Sequence, residues 1–437
     1  VRHWLEALGD DEPRYLAEGV APPAMIQVWT MRGLRTPPDP ADPLQAASAV
    51  LDAAGYTSVV ATNCEQTYHR PLRVGELLRV TTRLIDLAGP KRTALGEGWF
   101  VTTRSTWLVD GPGGPEPVAE MLFRVLKFRP PEAGAGQPPG PAAAGAAGAA
   151  QAAALRPVVT EDTAFFWAGT AVGELRIQRC ARCGRLRHPP GPGCPACGEL
   201  QPADPRYVVS SGAGRLHSFV VHHHPPVPGR RLPIVIGLVD LADGVRMVGE
   251  LVDVAAGAVR IGMDVELALV RVGPTDRRHG EVEPEDLVLP AWRPVPSPGP
   301  GPGAVLPPLR LDVTPTFVIS TALATRDFQD VHHDRDRARL RGSPDIFVNI
   351  LTTTGLVQSY LTRWAPTAVV RGVAVRLGVP CHPGDRLTFT GHVSRWDEAT
   401  GSGTVAVTGT VARGDHVTGT VEFQLPGAAG ADAGRQP

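Results

Sequence analysis

Long apolar runs are missing from this 437-residue sequence. No stretch reaches the roughly eighteen apolar residues a membrane-spanning helix needs, so such a helix is excluded. A dominant charge is missing too: 43 Lys+Arg stand against 44 Asp+Glu, leaving no bulk field to recruit nucleic acid or an anionic bilayer. Cysteine is scarce, six in all, and four of the six lie in CxxC pairs, the pattern of a metal site in a reducing compartment rather than of a disulfide framework. The opening Val1-Arg2-His3-Trp4 carries no charged-then-apolar leader, so a cytoplasmic location is expected. What is present, 43% apolar and 20% charged residues, is ordinary for globular protein. The length exceeds one hydrophobic core and implies two to four domains.

Two segments divide the chain. Residues 131–156 (PEAGAGQPPGPAAAGAAGAAQAAALR) have the composition of a flexible linker, and residues 294–308 (PVPSPGPGPGAVLPP) that of a stiffer, extended one. Three folded blocks are expected at 1–130, 157–293 and 309–426, followed by a Gly/Ala tail over 427–437.

The outer blocks share a plan. In the last, Ile346, Ile350, Val357, Leu361 and Trp364 recur at helical spacing over 344–366, predicting one long helix that begins near Ser343-Pro344-Asp345. Val-, Thr- and Phe-rich runs follow, broken by Gly or Asp, and predict strands. The alternating run FVISTALAT ahead of the helix also reads as strand-like. The first block repeats the order with PLQAASAVLDAAG and four strand-like runs. Pro71-Leu-Arg-Val-Gly75-Glu76-Leu-Leu78 parallels Pro380-Cys-His-Pro-Gly384-Asp385-Arg-Leu387. A helix wrapped by a curled antiparallel sheet is the hot-dog arrangement, expected twice in an α+β protein.

In the middle block, Cys180-Ala-Arg-Cys183 and Cys194-Pro-Ala-Cys197 are separated by ten residues. Two such knuckles complete a closed tetrahedral four-cysteine zinc site with no position left for water, hence structural; iron and unpaired thiols are the alternatives. The strand-rich remainder predicts an OB-fold, without the interleaved basic and aromatic residues of a nucleic-acid binder. His222-His223-His224 alternate across a strand and read as a strand end rather than a metal site. Cys64 and Cys381 have no local partners and read as buried thiols.

The candidate catalytic residues are Asp327 and His332, in DFQDVHHDRDRA. A loop between the strand-like run and the long helix can aim both at one cavity. Hydrating a conjugated thioester needs a base for the water, an acid for the alpha carbon and donors for the enolate oxygen; an acid and an imidazole on one water share the proton transfers. Unpaired amides at a helix N-terminus serve the oxyanion. On spacing alone a solvated charged turn remains the alternative.

Asp327-x-Gln329-Asp330-Val331-His332, five residues, then Ala338 resembles the signature of type 2, R-specific enoyl-CoA hydratases of the MaoC-like family. That signature reads Asp-x-Asn-Pro-aliphatic-His, five residues, then Ala or Ser; here Gln329 and Asp330 replace Asn and Pro. The resemblance implies an oxyanion donor at the dipeptide Pro344-Asp345, through the Asp345 backbone N–H. Gly9-Asp10-Asp11-Glu12-Pro13-Arg14-Tyr15 resembles the same motif with Tyr15 in the histidine's place, implying a non-catalytic half that leaves room for a bulky acyl group. The middle block resembles the acyl-CoA-associated family that joins a rubredoxin-like zinc ribbon to an OB-fold. The block order is similar to that of actinobacterial steroid side-chain hydratases, whose two subunits are separate chains. The resemblance implies a steroid enoyl-CoA substrate with a three-carbon side chain, and a tertiary alcohol product. It also implies a thiolase-like aldolase docked on the OB-fold, and a homodimer of fused chains. Arg335 and Arg337 are candidates for the coenzyme A phosphates, against a plain solvated face. A non-catalytic acyl-CoA-binding scaffold and a dehydratase for a non-steroid acyl thioester are the rival readings.

Overall fold

The computed structural model describes residues 1–10, 12–37, 39, 41–93, 95–111, 113–129, 157–202, 205–272, 287–296 and 299–426; the linker expected over 131–156 and the tail over 427–437 lie outside them. The chain folds as two units, the first and last blocks together and the middle block by itself.

The first block opens with α1 (Arg2–Leu8) and a short α2 (Arg14–Ala17). Helix α3 (Pro43–Ala53) follows, capped by Asp42, whose side chain accepts the Leu44 and Gln45 amides. Four strands complete the block: β1 (Ser58–Tyr68), β2 (Leu78–Thr93), β3 (Gly96–Gly111) and β4 (Gly114–Arg129). Of α3 only Leu51 is buried, in a small satellite core with Tyr56, Val101 and Val125.

In the middle unit, α4 (Glu161–Ala171) starts on a capping box between Thr160 and Thr163. It leads into a small sheet of β5 (Leu175–Arg179), β6 (Leu186–Arg187) and β7 (Tyr207–Ser210). A closed barrel follows, made of β8 (Ala213–His222), β9 (Ile234–Leu241), β10 (Arg246–Leu251), β11 (Asp264–Val272) and β12 (Leu287–Pro294). Alternate residues of β9 point inward onto Leu216, Met247, Leu251 and the fully buried Trp292. His222 ends β8, and His223 and His224 are exposed.

The last block contains β13 (Val305–Asp312), α5 (Pro315–Ala324), α6 (Arg335–Leu340), α7 (Ile350–Trp364), β14 (Val369–Leu377), β15 (Arg386–Asp397), β16 (Ser402–Val411) and β17 (Gly414–Gln424). Three expectations need correction. Residues 305–308, read as linker, begin β13; Pro307 and Pro308 are tolerated because β13 is an edge strand and its register shifts between Leu306 and Leu309. FVISTALA, read as strand-like, is helical: Thr314 caps it by accepting the Phe317 amide, Pro315 pre-sets its first turn, and the Thr321 and Thr325 hydroxyls bond back to preceding carbonyls. The long helix starts at Ile350 rather than near Ser343. Neighbouring elements claim the backbone before it: the Phe347 amide goes to the Val331 carbonyl and the Val348 amide to the Cys381 carbonyl, and Asn349 is a strong N-cap.

Both outer blocks share one nine-stranded sheet, ordered β13-β15-β16-β17-β14-β1-β4-β3-β2. The join is the antiparallel pair β1–β14, with Glu65 opposite Ala374 and Thr67 opposite Gly372, so the halves pair within one chain. The sequence repeat is also a conformational one: Gly75 and Gly384, each in the turn before a strand, have φ of 95° and 93°. Helix α7 is buried from Ile350 through Thr362 and shares a core with Trp4, Leu5 and Leu8 of α1. Gly355 lets α1 approach, since a Cβ there would lie 2.6 Å from Trp4 and 2.8 Å from Leu8. Gly355→Ala is therefore expected to destabilise the outer unit by about 1–3 kcal/mol through overpacking, read as a lower urea midpoint with unchanged slope.

Candidate active site and metal centre

Helix α5 ends on Arg326 in the left-handed conformation, φ 56°, with the Asp327 amide donating to the Ala322 carbonyl at 3.0 Å and the Arg326 amide to the Leu323 carbonyl at 3.1 Å. That is a Schellman ending with arginine where glycine is usual, and it turns the chain sharply to present Asp327. The Gln329 amide donates to Asp327 Oδ1 at 3.4 Å, and one short helical turn later comes His332. Asp327 Oδ2 and His332 Nε2 face each other at 3.5 Å, and both side chains are more than nine-tenths buried. His332 Nδ1 lies 2.7 Å from the Phe347 carbonyl. A carbonyl only accepts, so in the neutral ring Nδ1 carries the proton and Nε2 keeps its lone pair toward Asp327. Two acceptors at this separation suit a water that donates one O–H to each.

The second wall is the extended segment before α7. The Phe347 ring stands edge-on to His332, centroids 4.9 Å apart, and edge-on to His382, at 6.1 Å. His382 Nδ1 donates to the Ile346 carbonyl at 2.9 Å, and its own amide donates to Asp385, which Arg413 grips with two bonds. Asn349 donates to Thr325 Oγ1 at 2.8 Å and accepts the Thr352 amide at 2.7 Å, tying the first turn of α7 to the end of α5. Nothing singled out Phe347, Asn349 or His382 in the sequence; a buried polar cap just ahead of an apolar helix was the available signal for Asn349.

Asp345 lies five residues ahead of α7, so its amide is not one of a helix N-terminus's unpaired donors. Its carboxylate accepts the Ile346 amide at 2.7 Å and pairs with Arg335 at 3.0 Å. Arg335 is thus engaged beside the loop. Arg337, on the same short helix, is exposed, and its guanidinium has no ion pair among the described residues.

Deeper in the fold, His416 Nδ1 donates to the Val379 carbonyl at 2.9 Å and Nε2 accepts from Thr353 Oγ1 at 2.9 Å, a further brace on the first turn of α7. Burial holds the His416 pKa below its ordinary value, while the Val379 carbonyl and Asp385 oppose that shift and His382 adds to it. The unfolded chain therefore binds the proton more readily. The stability this residue contributes is complete above the unfolded value of about 6.5 and is lost as pH falls below it. His416→Asn is expected to flatten the acid-side decline of the thermal midpoint between pH ~6.5 and ~5, measured by circular dichroism.

In the middle unit the four cysteine sulfurs lie within 4.8 Å of one another, with Cys180–Cys197 at 3.6 Å and Cys183–Cys194 at 3.7 Å. A metal–sulfur bond of ~2.3 Å sets a tetrahedral edge of about 3.8 Å, so the sulfurs fit one ion. Matching knuckles hold them: the Gly184 amide donates to the Cys180 carbonyl and the Gly198 amide to the Cys194 carbonyl. Cys64 and Cys381 are buried, and burial pushes each thiol up to about 12. No described helix is long and apolar enough to cross a membrane.

Comparison with known proteins agrees with this anatomy. Residues 167–202 match the family described as the ChsH2 rubredoxin-like zinc ribbon domain, and residues 207–270 the ChsH2 C-terminal OB-fold domain. The 3-oxo-4,17-pregnadiene-20-carboxyl-CoA hydratase alpha subunit of Mycobacterium tuberculosis is 48% identical over 280 residues, 62% of this chain and 85% of the relative. The beta subunit of the hydratase of that name from the same organism is 58% identical over 124 residues, 28% of this chain and 95% of the relative. A solved structure described as the Ltp2-ChsH2(DUF35) aldolase is 42% identical over 32% of this chain and 98% of its own, with a TM-score of 0.27. The chain belongs to the enoyl-CoA hydratase family that these alpha and beta subunits represent, and it carries likeness to both on one polypeptide.

Proposed function

We propose that this chain adds water to the conjugated double bond of a steroid side-chain enoyl-CoA such as 3-oxo-4,17-pregnadiene-20-carboxyl-CoA, with Asp327 and His332 as its acid/base pair. The observation that carries the reading is the buried Asp327 Oδ2–His332 Nε2 approach of 3.5 Å, with His332 oriented by the Phe347 carbonyl. Water held by both groups gives one proton to this pair as its oxygen attacks the beta carbon, and the pair returns a proton to the alpha carbon. The negative charge gathers on the thioester oxygen. We assign its donor to the backbone N–H of Ile350 rather than that of Asp345, because Ile350 is the first residue of α7 and its amide has no intrahelical acceptor. Arg337 is the better placed of the two arginines for a coenzyme A phosphate, since Arg335 is paired with Asp345. Arg337→Ala is expected to raise KM for the CoA thioester several-fold with kcat little changed, in steady-state kinetics.

The family likeness supports the steroid acyl group, and the small α3 of the first half supports a bulky one: a single α3 side chain is buried, against thirteen residues of α7. Cys180, Cys183, Cys194 and Cys197 would hold a structural zinc, fixing the ribbon ahead of the barrel. A thiolase-like aldolase would dock on the OB-fold, and two fused chains would associate, in the cytoplasm. Side chains pointing apart would have favoured the scaffold reading; the 3.5 Å approach of Asp327 and His332 supports the enzyme. The test is a panel of steroid and linear enoyl-CoAs incubated with the purified chain and followed by mass spectrometry. Gain of one water on the steroid thioester is the expected result; gain only on linear thioesters would move the assignment to a non-steroid dehydratase.

A further inference from the structure

We propose that the first half contains a second, closed carbonyl site whose occupant is built in: the carboxamide of Gln358, on α7 of the other half. Around its acid, the loop of the first half repeats the hydrogen bonds of the catalytic loop. Helix α1 ends on Gly9 at φ 62°, the Asp10 amide donates to the Leu5 carbonyl at 2.8 Å, and the Glu12 amide donates to Asp10 Oδ1 at 3.2 Å. In the last half the same places are taken by Arg326, Asp327 and Gln329. Tyr15 then stands where His332 stands, five residues after the acid in each case.

Gln358 has no solvent exposure, and both ends of its amide are used. Its Oε1 accepts the Ala24 backbone N–H at 2.7 Å, and its Nε2 donates to the Tyr15 hydroxyl at 3.1 Å. A planar group whose oxygen sits on a backbone donor and whose nitrogen sits on the residue in the histidine's place is arranged as a bound primary amide would be. Asp10 is 5% exposed, and its Oδ2 is buried without a hydrogen-bond partner among the described residues. Burial raises its pKa despite the hydrogen bond from the Glu12 amide and despite Arg363 and Ser359, and burial likewise pushes Tyr15 up to about 12. The site therefore fits a small primary carboxamide, with Gln358 supplying it in cis. This reading stands whether or not the catalytic half hydrates a steroid.

Removing the plug tests it. Gln358→Ala in the full chain should open a cavity that propionamide refills, so that propionamide raises the thermal midpoint of the variant by several degrees and that of the unsubstituted chain hardly at all. Butanone, with the same carbonyl and no N–H, should do less. Equal shifts in both proteins, or butanone matching propionamide, would overturn the proposal. If the alanine variant fails to fold, Gln358→Met keeps the volume without the amide. It should lower the midpoint and lose hydrogen-exchange protection at the Ala24 amide, whereas an unchanged midpoint and intact protection would sink the idea.

Discussion

His332→Ala and Asp327→Asn are each expected to reduce hydration by about 10²–10⁴-fold, the range a positioned acid or base supplies. Each variant removes one of the two acceptors, Asp327 Oδ2 and His332 Nε2, proposed to hold the reacting water. The asparagine change keeps the volume and the Oδ1 acceptor for the Gln329 amide, so the loop should keep its shape. Folding, followed by circular dichroism, and binding of a non-reacting CoA thioester should both survive. The double variant should be scarcely slower than either single one, because residues acting on one water work as a unit. Additive losses would mean that the two groups act on separate steps.

Cys194→Ser is expected to abolish the metal binding proposed for the four cysteines of the middle unit. A structural zinc of this kind contributes on the order of 10–16 kcal/mol of binding free energy at neutral pH, and that binding is coupled to folding. The ribbon has few other means of holding its knuckles: β6 is two residues long, and Gly193 and Leu200 form only an isolated bridge. Elemental analysis should find about one zinc per chain before the change and much less after it, with loss of the unit's thermal transition. Hydration should persist, because every residue proposed for it lies in the outer unit. Equal loss of metal and hydration would contradict that division of labour.

Much of this was legible in the letters. The CxxC spacing is a local constraint, so the four-cysteine cluster could be read without knowing the fold. The strand runs of the outer blocks and the paired turns at Gly75 and Gly384 were legible because period-two patterns and turn glycines are local as well. What the letters hid was decided by tertiary partners. FVISTALA is β-branched and alternating, yet the Thr314 cap and Pro315 settle it as helix. The start of α7 depends on Val331 and Cys381 claiming the Phe347 and Val348 amides, contacts that no window of sequence contains. Gln358 looks like one more polar residue on a helix until Ala24 and Tyr15, more than 300 residues away, are found at its two ends.

We propose that one chain holds a complete hydratase site in its last half, with the non-catalytic first half paired beside it in the same sheet. The most direct measurement is water addition to the steroid enoyl-CoA by the purified single chain, with no second subunit added and Asp327→Asn as control. We predict one water gained per thioester with the unsubstituted chain and almost none with the variant. Hydration that continues undiminished in Asp327→Asn, or that begins only when a separate hydratase subunit is supplied, would contradict it.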